Sequence, residues 1–425
     1  MLTPEENELL TRVGPGTPCG ALLRRYWQPA CYVGELSADE PTKPVTIMGE
    51  DLVVYRLPDG GYACIEEHCA HRCTSLAYGF VERDGLRCAY HGWKYDATGQ
   101  CVEQPFEPAG STFKDRIKLT AYPAQALGGL VFIYMGPPPA PVLPPWDVLA
   151  WTDGRRLAQR QELLNCNWLQ AQENSADVTH TYFLHSHALY QQGHRDRGVM
   201  RLYRPFERYG FQPFEWGQLK SWEYSPNAQW PAERAGGNPL IFPNVLRNIG
   251  YGHDMHFRVP QDDTHTHIFV IRFDPGEPYA SPEELANPPI EDHPTQYRPD
   301  GRHLMTNFFS QDRMAWETQG RIMDRTREHL GASDRGIILY RQTLLEQIKR
   351  VQEGHDPLGV IRDPSVTLIE LPMWVVDDGN NLQGDRFAAQ AGWAKTGQPM
   401  SRYFDARHEQ FDVPDGAART PGALS

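Results

Sequence analysis

Between Lys43 and Glu67 the chain reads KPVTIMGEDLVVYRLPDGGYACIEE. Apolar and polar residues alternate, stop at Pro58-Asp59-Gly60-Gly61 and resume, which is the two-residue period of half-buried strands joined by a tight turn. Short segments of this kind continue to about Trp146. The helix signal ahead of them is at the N-terminus, where Thr3, Pro4 and Glu6 form an N-cap, N1 and capping-box pattern. Residues Gly136 to Trp146, GPPPAPVLPPW, lack amide donors at most positions and hold φ fixed, so they predict a connector and a domain boundary, dividing the chain into 1–146 and 147–425. Beyond it the period changes. Asn167 to His187, NWLQAQENSADVTHTYFLHSH, predicts helix for most of its length, Asp262 to Pro275 a strand, and Gln311 to Gln352 a strongly helical region. The expected class is α+β, an all-β first domain followed by an antiparallel sheet flanked by helices, without internal repeats.

Composition narrows the partners. The chain has 425 residues, 40% hydrophobic, which excludes disorder and allows two domains. With 41 basic against 54 acidic residues and a net charge of −13, nothing draws it to nucleic acid or anionic lipid. The opening MLTPEENELL has no basic-then-apolar leader pattern and no stretch is long enough to span a membrane, so the expectation is a cytoplasmic protein acting on a small molecule. Eight cysteines are too few for a disulfide scaffold, and four (Cys64, Cys69, Cys73, Cys88) lie close together, which favours metal over disulfide chemistry.

Two of these cysteines belong to a pattern. Cys69-x-His71, sixteen intervening residues and Cys88-x2-His91 make two ligand pairs on two loops. Thiolates donate strongly and imidazoles weakly, so a cluster with cysteines on one iron and histidines on the other has a raised potential and can accept an electron from a ferredoxin-like donor. The pattern resembles the Rieske [2Fe-2S] domain; a structural Cys2His2 zinc site and ordinary core residues are the competing readings. Cys73 is read as loop packing, and Cys19, Cys31, Cys64, Cys101 and Cys166 as small apolar residues.

A second pattern follows at Asn174-x2-Asp177-x2-His180-x4-His185. Asp177 and His180 are neighbours on a helix, and a slightly distorted turn brings His185 round to the same metal. Two imidazoles and one carboxylate on one side of Fe(II) leave the other side open for dioxygen and substrate. Spacing alone does not choose the carboxylate among Asp312, Asp324, Asp334 and others. The segment SQDRMAWETQGRIMDRTREHLGASDRGIILYR resembles the C-terminal helical region of phthalate dioxygenase-like Rieske non-heme iron oxygenases, and the resemblance extends from GTPCGALLRRYWQPA over nearly the whole chain.

That resemblance implies the following. The fold joins an N-terminal Rieske domain to a C-terminal helix-grip-like catalytic domain. Cys69, His71, Cys88 and His91 hold the [2Fe-2S] cluster; His180, His185 and Asp312 bind mononuclear Fe(II). Asp177 bridges His91 of one subunit to His180 of the next in a trimer or pair of trimers, a carboxylate fixing two imidazole tautomers, and Asn174 acts beside it. Electrons come from NAD(P)H through a separate reductase, with or without a ferredoxin, since the chain has no dinucleotide fingerprint and no plant-type ferredoxin cysteine set.

The family implies O2 and an aromatic carboxylate as substrates. O-demethylation of a methoxylated lignin-derived acid is the favoured expectation, cis-dihydroxylation of a phthalate- or benzoate-like acid the alternative, and an electron-transfer protein without oxygenase activity the reading from another class. Because guanidinium pairs bidentately with carboxylate, Arg204 and Arg247 are candidate substrate clamps. His253, His256, His265 and His267 receive no ligand role, with His265 and His267 expected on one face of a strand. Trp27, Trp93 and Trp168 are read as core or interface aromatics.

Overall fold

The computed structural model describes residues 1–194, 203, 205–224, 233–249, 253–377 and 409–412. Its first helix starts where the capping pattern places it. Thr3 Oγ1 accepts from the Glu6 amide at 3.1 Å, and the Thr3 amide donates back to Glu6 Oε2 at 2.8 Å, opening α1 (Pro4–Thr11) ahead of α2 (Pro18–Leu23).

Eleven short strands follow. They are β1 (Trp27–Tyr32), β2 (Thr42–Ile47), β3 (Glu50–Arg56), β4 (Tyr62–Glu66), β5 (Phe80–Glu82), β6 (Gly85–Arg87), β7 (Lys94–Tyr95), β8 (Cys101–Glu103), β9 (Ala121–Tyr122), β10 (Ala124–Leu127) and β11 (Leu130–Tyr134). They make three small antiparallel sheets, ordered β1-β11-β10, β2-β3-β4-β9 and β5-β6-β7-β8. The turn between β3 and β4 is the anticipated one, with Gly60 at φ +91° and Asp59 Oδ1 accepting from the Gly61 amide at 2.9 Å.

After the proline-rich stretch come α3 (Asp147–Ala150), β12 (Gly154–Arg160), α4 (Trp168–Ser175), a π-helical turn at Thr181–His187 and α5 (Ala188–Gln191). Then β13 (Phe206–Phe214), β14 (Gly217–Tyr224), β15 (Glu233–Ile241), β16 (Val245–Ile249), β17 (His253–Pro260) and β18 (Thr266–Pro275) run as an antiparallel meander. The remaining elements are α6 (Pro282–Ala286), β19 (Ile290–Asp292), α7 (Phe308–Glu317), α8 (Arg335–Gln352), β20 (Trp374–Asp377) and β21 (Glu409–Asp412). Among the described residues the sheet has ten strands, in the order β19-β12-β18-β17-β16-β15-β14-β13-β21, with β20 on β15. One core crosses between the two halves, with Phe132 of β11 edge-on to Phe257 of β17 at 5.6 Å. The class is α+β, as anticipated, and no helix among the described residues is long and apolar enough to cross a membrane.

Three expectations shift. The helical stretch from Gln311 to Gln352 is two helices, α7 and α8, because residues 318–331 lack spaced apolar positions and turn at Gly320, φ +99°. The strand expected from Asp262 begins at Thr266, because Asp262 Oδ1 accepts from the Thr264 amide at 2.6 Å and its carboxylate holds His265 Nδ1 at 2.9 Å, closing a turn. His265 therefore does not share a strand face with His267. The helix from Asn167 is interrupted after Ser175, for a reason that belongs to the metal site.

Candidate metal centres

Residues 69–74 and 88–93 form two loops with the same hydrogen-bond pattern. The Cys69 amide donates to the Thr74 carbonyl at 3.0 Å and the Cys73 amide to the Cys69 carbonyl at 2.8 Å; the Cys88 amide donates to Trp93 at 2.8 Å and Gly92 to Cys88 at 3.0 Å. Each loop thus repeats the other with a cysteine at its start. The fifth position is left-handed in both, Cys73 at φ +56° and Gly92 at φ +76°. Cys73 is exposed, so its expected packing role is corrected: it occupies a glycine-type turn position and faces solvent.

The loops sort their donors by depth. Cys69 and Cys88 are buried, His71 is exposed and His91 half-buried. The two imidazoles lie 4.5 Å apart between centroids, and Trp93 stacks on His71 at 4.6 Å. Cys69 Sγ is 3.2 Å from Tyr95 Oη, and burial raises its thiol, so the cysteine end is dry and the histidine end wet. Two thiols inside and two imidazoles at the edge are a donor set that would hold a two-iron cluster ligated unequally. Trp27, Trp93 and Trp168 are all buried.

The second group is built by an interruption of helix. Asp177 accepts the Thr179 amide at 2.9 Å and the His180 amide at 3.0 Å, ending the α4 register and starting the π-helical turn. In an α-helix, positions five apart diverge by roughly 140°. A π-turn closes i to i+5 instead, and His180 and His185 are five apart; their rings meet with centroids 5.1 Å apart. The carboxylate comes from α7, started by Asn307 Oδ1 on the Ser310 amide at 2.9 Å. Ligand atoms of His180, His185 and Asp312 lie within 4.8 Å of one another.

Each ring is oriented from behind. Asp177 Oδ2 holds His180 Nδ1 at 2.9 Å, and Gln311 Oε1 holds His185 Nδ1 at 3.0 Å. An Nδ1 that donates leaves Nε2 as a lone pair, so two Nε2 acceptors meet the buried Asp312 Oδ1, which has no hydrogen-bond partner. Three acceptors converging without a donor call for a cation. The donor set, two imidazoles and a carboxylate, suits Fe(II) with open positions.

These residues sit on a cavity of about 460 Å³ that Asn174 also lines. The opposite wall is the sheet: Lys220, Trp222 and Tyr224 alternate along β14, and Asp254, His256 and Arg258 along β17. Sequence reasoning missed Lys220, His256 and Arg258 as cavity residues, and Gln311 as the residue orienting His185. Only Gln311 had a local signal, its adjacency to Asp312. Asp324 and Asp334 lie outside this cluster. Arg247 is corrected: it is fully buried, holds Asp147 at 3.0 Å and does not line the cavity. Arg204 lies outside the described residues.

The Rieske [2Fe-2S] domain family matches residues 26–123, and the family described as LigXa C-terminal domain like matches residues 302–377. The chain is 40% identical over 388 residues to the 5,5′-dehydrodivanillate O-demethylase oxygenase subunit of Sphingobium sp. (strain NBRC 103272 / SYK-6), covering 88% of this chain and 87% of that one. It is 35% identical to the phthalate 4,5-dioxygenase oxygenase subunit of Pseudomonas putida, covering 84% and 89%. Its fold resembles the terminal oxygenase of carbazole 1,9a-dioxygenase from Nocardioides aromaticivorans IC177, with a TM-score of 0.59 and 21% identity over 81% of this chain and 97% of that one.

Proposed function

The chain belongs to the Rieske non-heme iron oxygenases as an oxygenase subunit, and from that premise we propose that it O-demethylates a methoxylated, lignin-derived aromatic acid resembling dehydrodivanillate. One observation carries the site assignment: His180, His185 and Asp312 bring ligand atoms within 4.8 Å of one another at a cavity large enough for an aromatic acid. They are the proposed iron ligands, and Cys69, His71, Cys88 and His91 the proposed cluster ligands. Bound there, the cluster and the iron supply one-electron transfer and dioxygen activation.

The chain's own residues then do three things. Asp177 and Gln311 keep both imidazoles in the tautomer that offers Nε2. The buried thiols keep water from one end of the cluster site while His71 and His91 present its other end to a partner. The cavity positions the methoxyl group. In the overall reaction one methyl C–H becomes C–OH, O2 and two electrons with two protons also yielding one water. The hemiacetal then breaks the bond between its carbon and the ring oxygen, the hydroxyl proton passing to that oxygen, to give formaldehyde and a phenol.

Asp177, half-buried and already accepting from His180, is the proposed link to His91 of the partner subunit in a trimer or pair of trimers, with Asn174 beside it. A separate NAD(P)H-dependent reductase is the proposed electron source and the cytoplasm the proposed location. The division at Gly136 to Trp146 separates the proposed cluster-bearing unit, 1–146, from the iron-bearing unit, 147–425. The relative named as a phthalate dioxygenase supports cis-dihydroxylation as the second reading. Turnover of methoxylated aromatic acids with a reducing system decides. Formaldehyde equal to the new phenol is expected, and a cis-dihydrodiol without formaldehyde would overturn demethylation.

A further inference from the structure

Six arginines are buried among the described residues: Arg156, Arg247, Arg258, Arg313, Arg325 and Arg341. Four hold carboxylates, Arg247 on Asp147, Arg313 on Glu317, and Arg325 and Arg341 on Glu173. Arg156 donates to four backbone carbonyls instead. Arg258 has neither solution. Among the described residues its one side-chain hydrogen-bond partner is Gln172 Oε1 at 3.1 Å, its Nε is buried without an acceptor, and no carboxylate is within ion-pair distance. A buried guanidinium with donors to spare is costly unless something else fills them.

Arg258 is not alone on this wall. Lys220 is buried, and among the described residues its Nζ reaches only the Asp177 carbonyl, at 3.3 Å. It lies near enough to Arg258 for the two to repel, and burial pushes its ammonium down to about 8. On the same strand as Arg258, two residues before it, His256 stacks on Phe309 at 5.4 Å and presents a buried Nε2 that has no hydrogen-bond partner among the described residues. Burial holds that imidazole neutral at physiological pH. The other cation of the wall, Arg272, is occupied by Asp254 at 3.1 Å. The carboxylate on the opposite side, Asp312, is committed to the metal site.

We propose that Arg258 and Lys220 form the anion-binding end of the substrate cavity, taking the carboxylate of an aromatic acid, with the His256 ring nitrogen as a neutral hydrogen-bonding partner. An anion placed there satisfies the orphaned donors, relieves the repulsion between the two cations and leaves the rest of the ring toward His180, His185 and Asp312. The assignment rests on the oxygenase reading above, and replaces Arg247 by residues that face the cavity.

The test uses the iron-replete holoenzyme and two probes, a methoxylated aromatic acid and its methyl ester, with binding followed by quenching of cavity tryptophans such as Trp222 and Trp316. A charge-assisted contact predicts about tenfold or greater preference for the acid. That preference falls toward unity in Arg258→Gln and in Lys220→Met, is partly restored in Arg258→Lys, and the visible cluster spectrum is unchanged throughout. Lys220→Met carries the test if Arg258→Gln does not fold. Equal binding of acid and ester by the unaltered protein, or a preference kept by Lys220→Met, overturns the proposal. Formaldehyde is measured in the same samples: acid preference without formaldehyde leaves the anion site standing and overturns demethylation, whereas formaldehyde without acid preference does the reverse.

Discussion

Cys73 shows how a single residue misleads a reading made from spacing. It stands two positions after His71, among the proposed cluster ligands, yet it faces solvent in the left-handed conformation that Gly92 adopts at the equivalent place in the other loop. A side chain there costs about 1 kcal/mol relative to glycine. Cys73→Gly is therefore expected to raise the thermal midpoint slightly and leave the cluster spectrum intact; loss of the spectrum would make Cys73 a ligand. Gln311 is the opposite case, an uncharged residue with an exacting task. Gln311→Ala removes the acceptor that fixes His185 Nδ1, and residues of this kind typically change metal affinity or activity by about 10–100-fold. The expected result is weakened mononuclear iron retention on dialysis with the cluster unaffected, and unchanged retention would refute the orienting role. Arg247 was a plausible clamp from its charge and place in the chain, but charge alone does not reveal that Asp147, one hundred residues earlier, already occupies it.

At the scale of elements, what was legible depended on whether the partners were local. The capping box and the turn at Asp59-Gly60 are written within a few residues and could be read directly. The π-turn was visible only as a spacing that an ordinary helix serves badly. The wall formed by Lys220 and Arg258 was not legible, because β14 and β17 come together only through the register of β15 and β16 between them. α4, which leads into the metal site, is tied down by Glu173, held by Arg325 at 2.7 Å and Arg341 at 2.5 Å. Burial alone would raise Glu173, but the two guanidiniums outweigh it and its carboxyl lies below the ordinary glutamate range. The stability this contributes is present above that range and lost as pH falls through the lowered value. Glu173→Gln leaves the buried Arg325 without its carboxylate, while Arg341 keeps Glu328, and is expected to cost about 3–5 kcal/mol at neutral pH. In denaturation measurements the gap from the unaltered protein narrows on acidification; a gap independent of pH would contradict the assignment.

For the whole molecule, the order of the two ligand patterns and the change from short strands to mixed structure were enough to anticipate an α+β chain with two metal centres. The carboxylate that joins the two histidines was not recoverable from spacing, since Asp312 is 127 residues beyond His185 in a different helix. The separation of the centres gives the account its most direct test, iron and acid-labile sulfide per chain in the unaltered protein and in Asp312→Ala. Two irons and two sulfides in the cluster plus one mononuclear iron predict a content of about three irons and two sulfides. Asp312→Ala should fall to about two irons with sulfide and the visible spectrum unchanged. Two irons in the unaltered protein, or loss of sulfide with Asp312, would contradict a chain that holds a cluster and a separate iron.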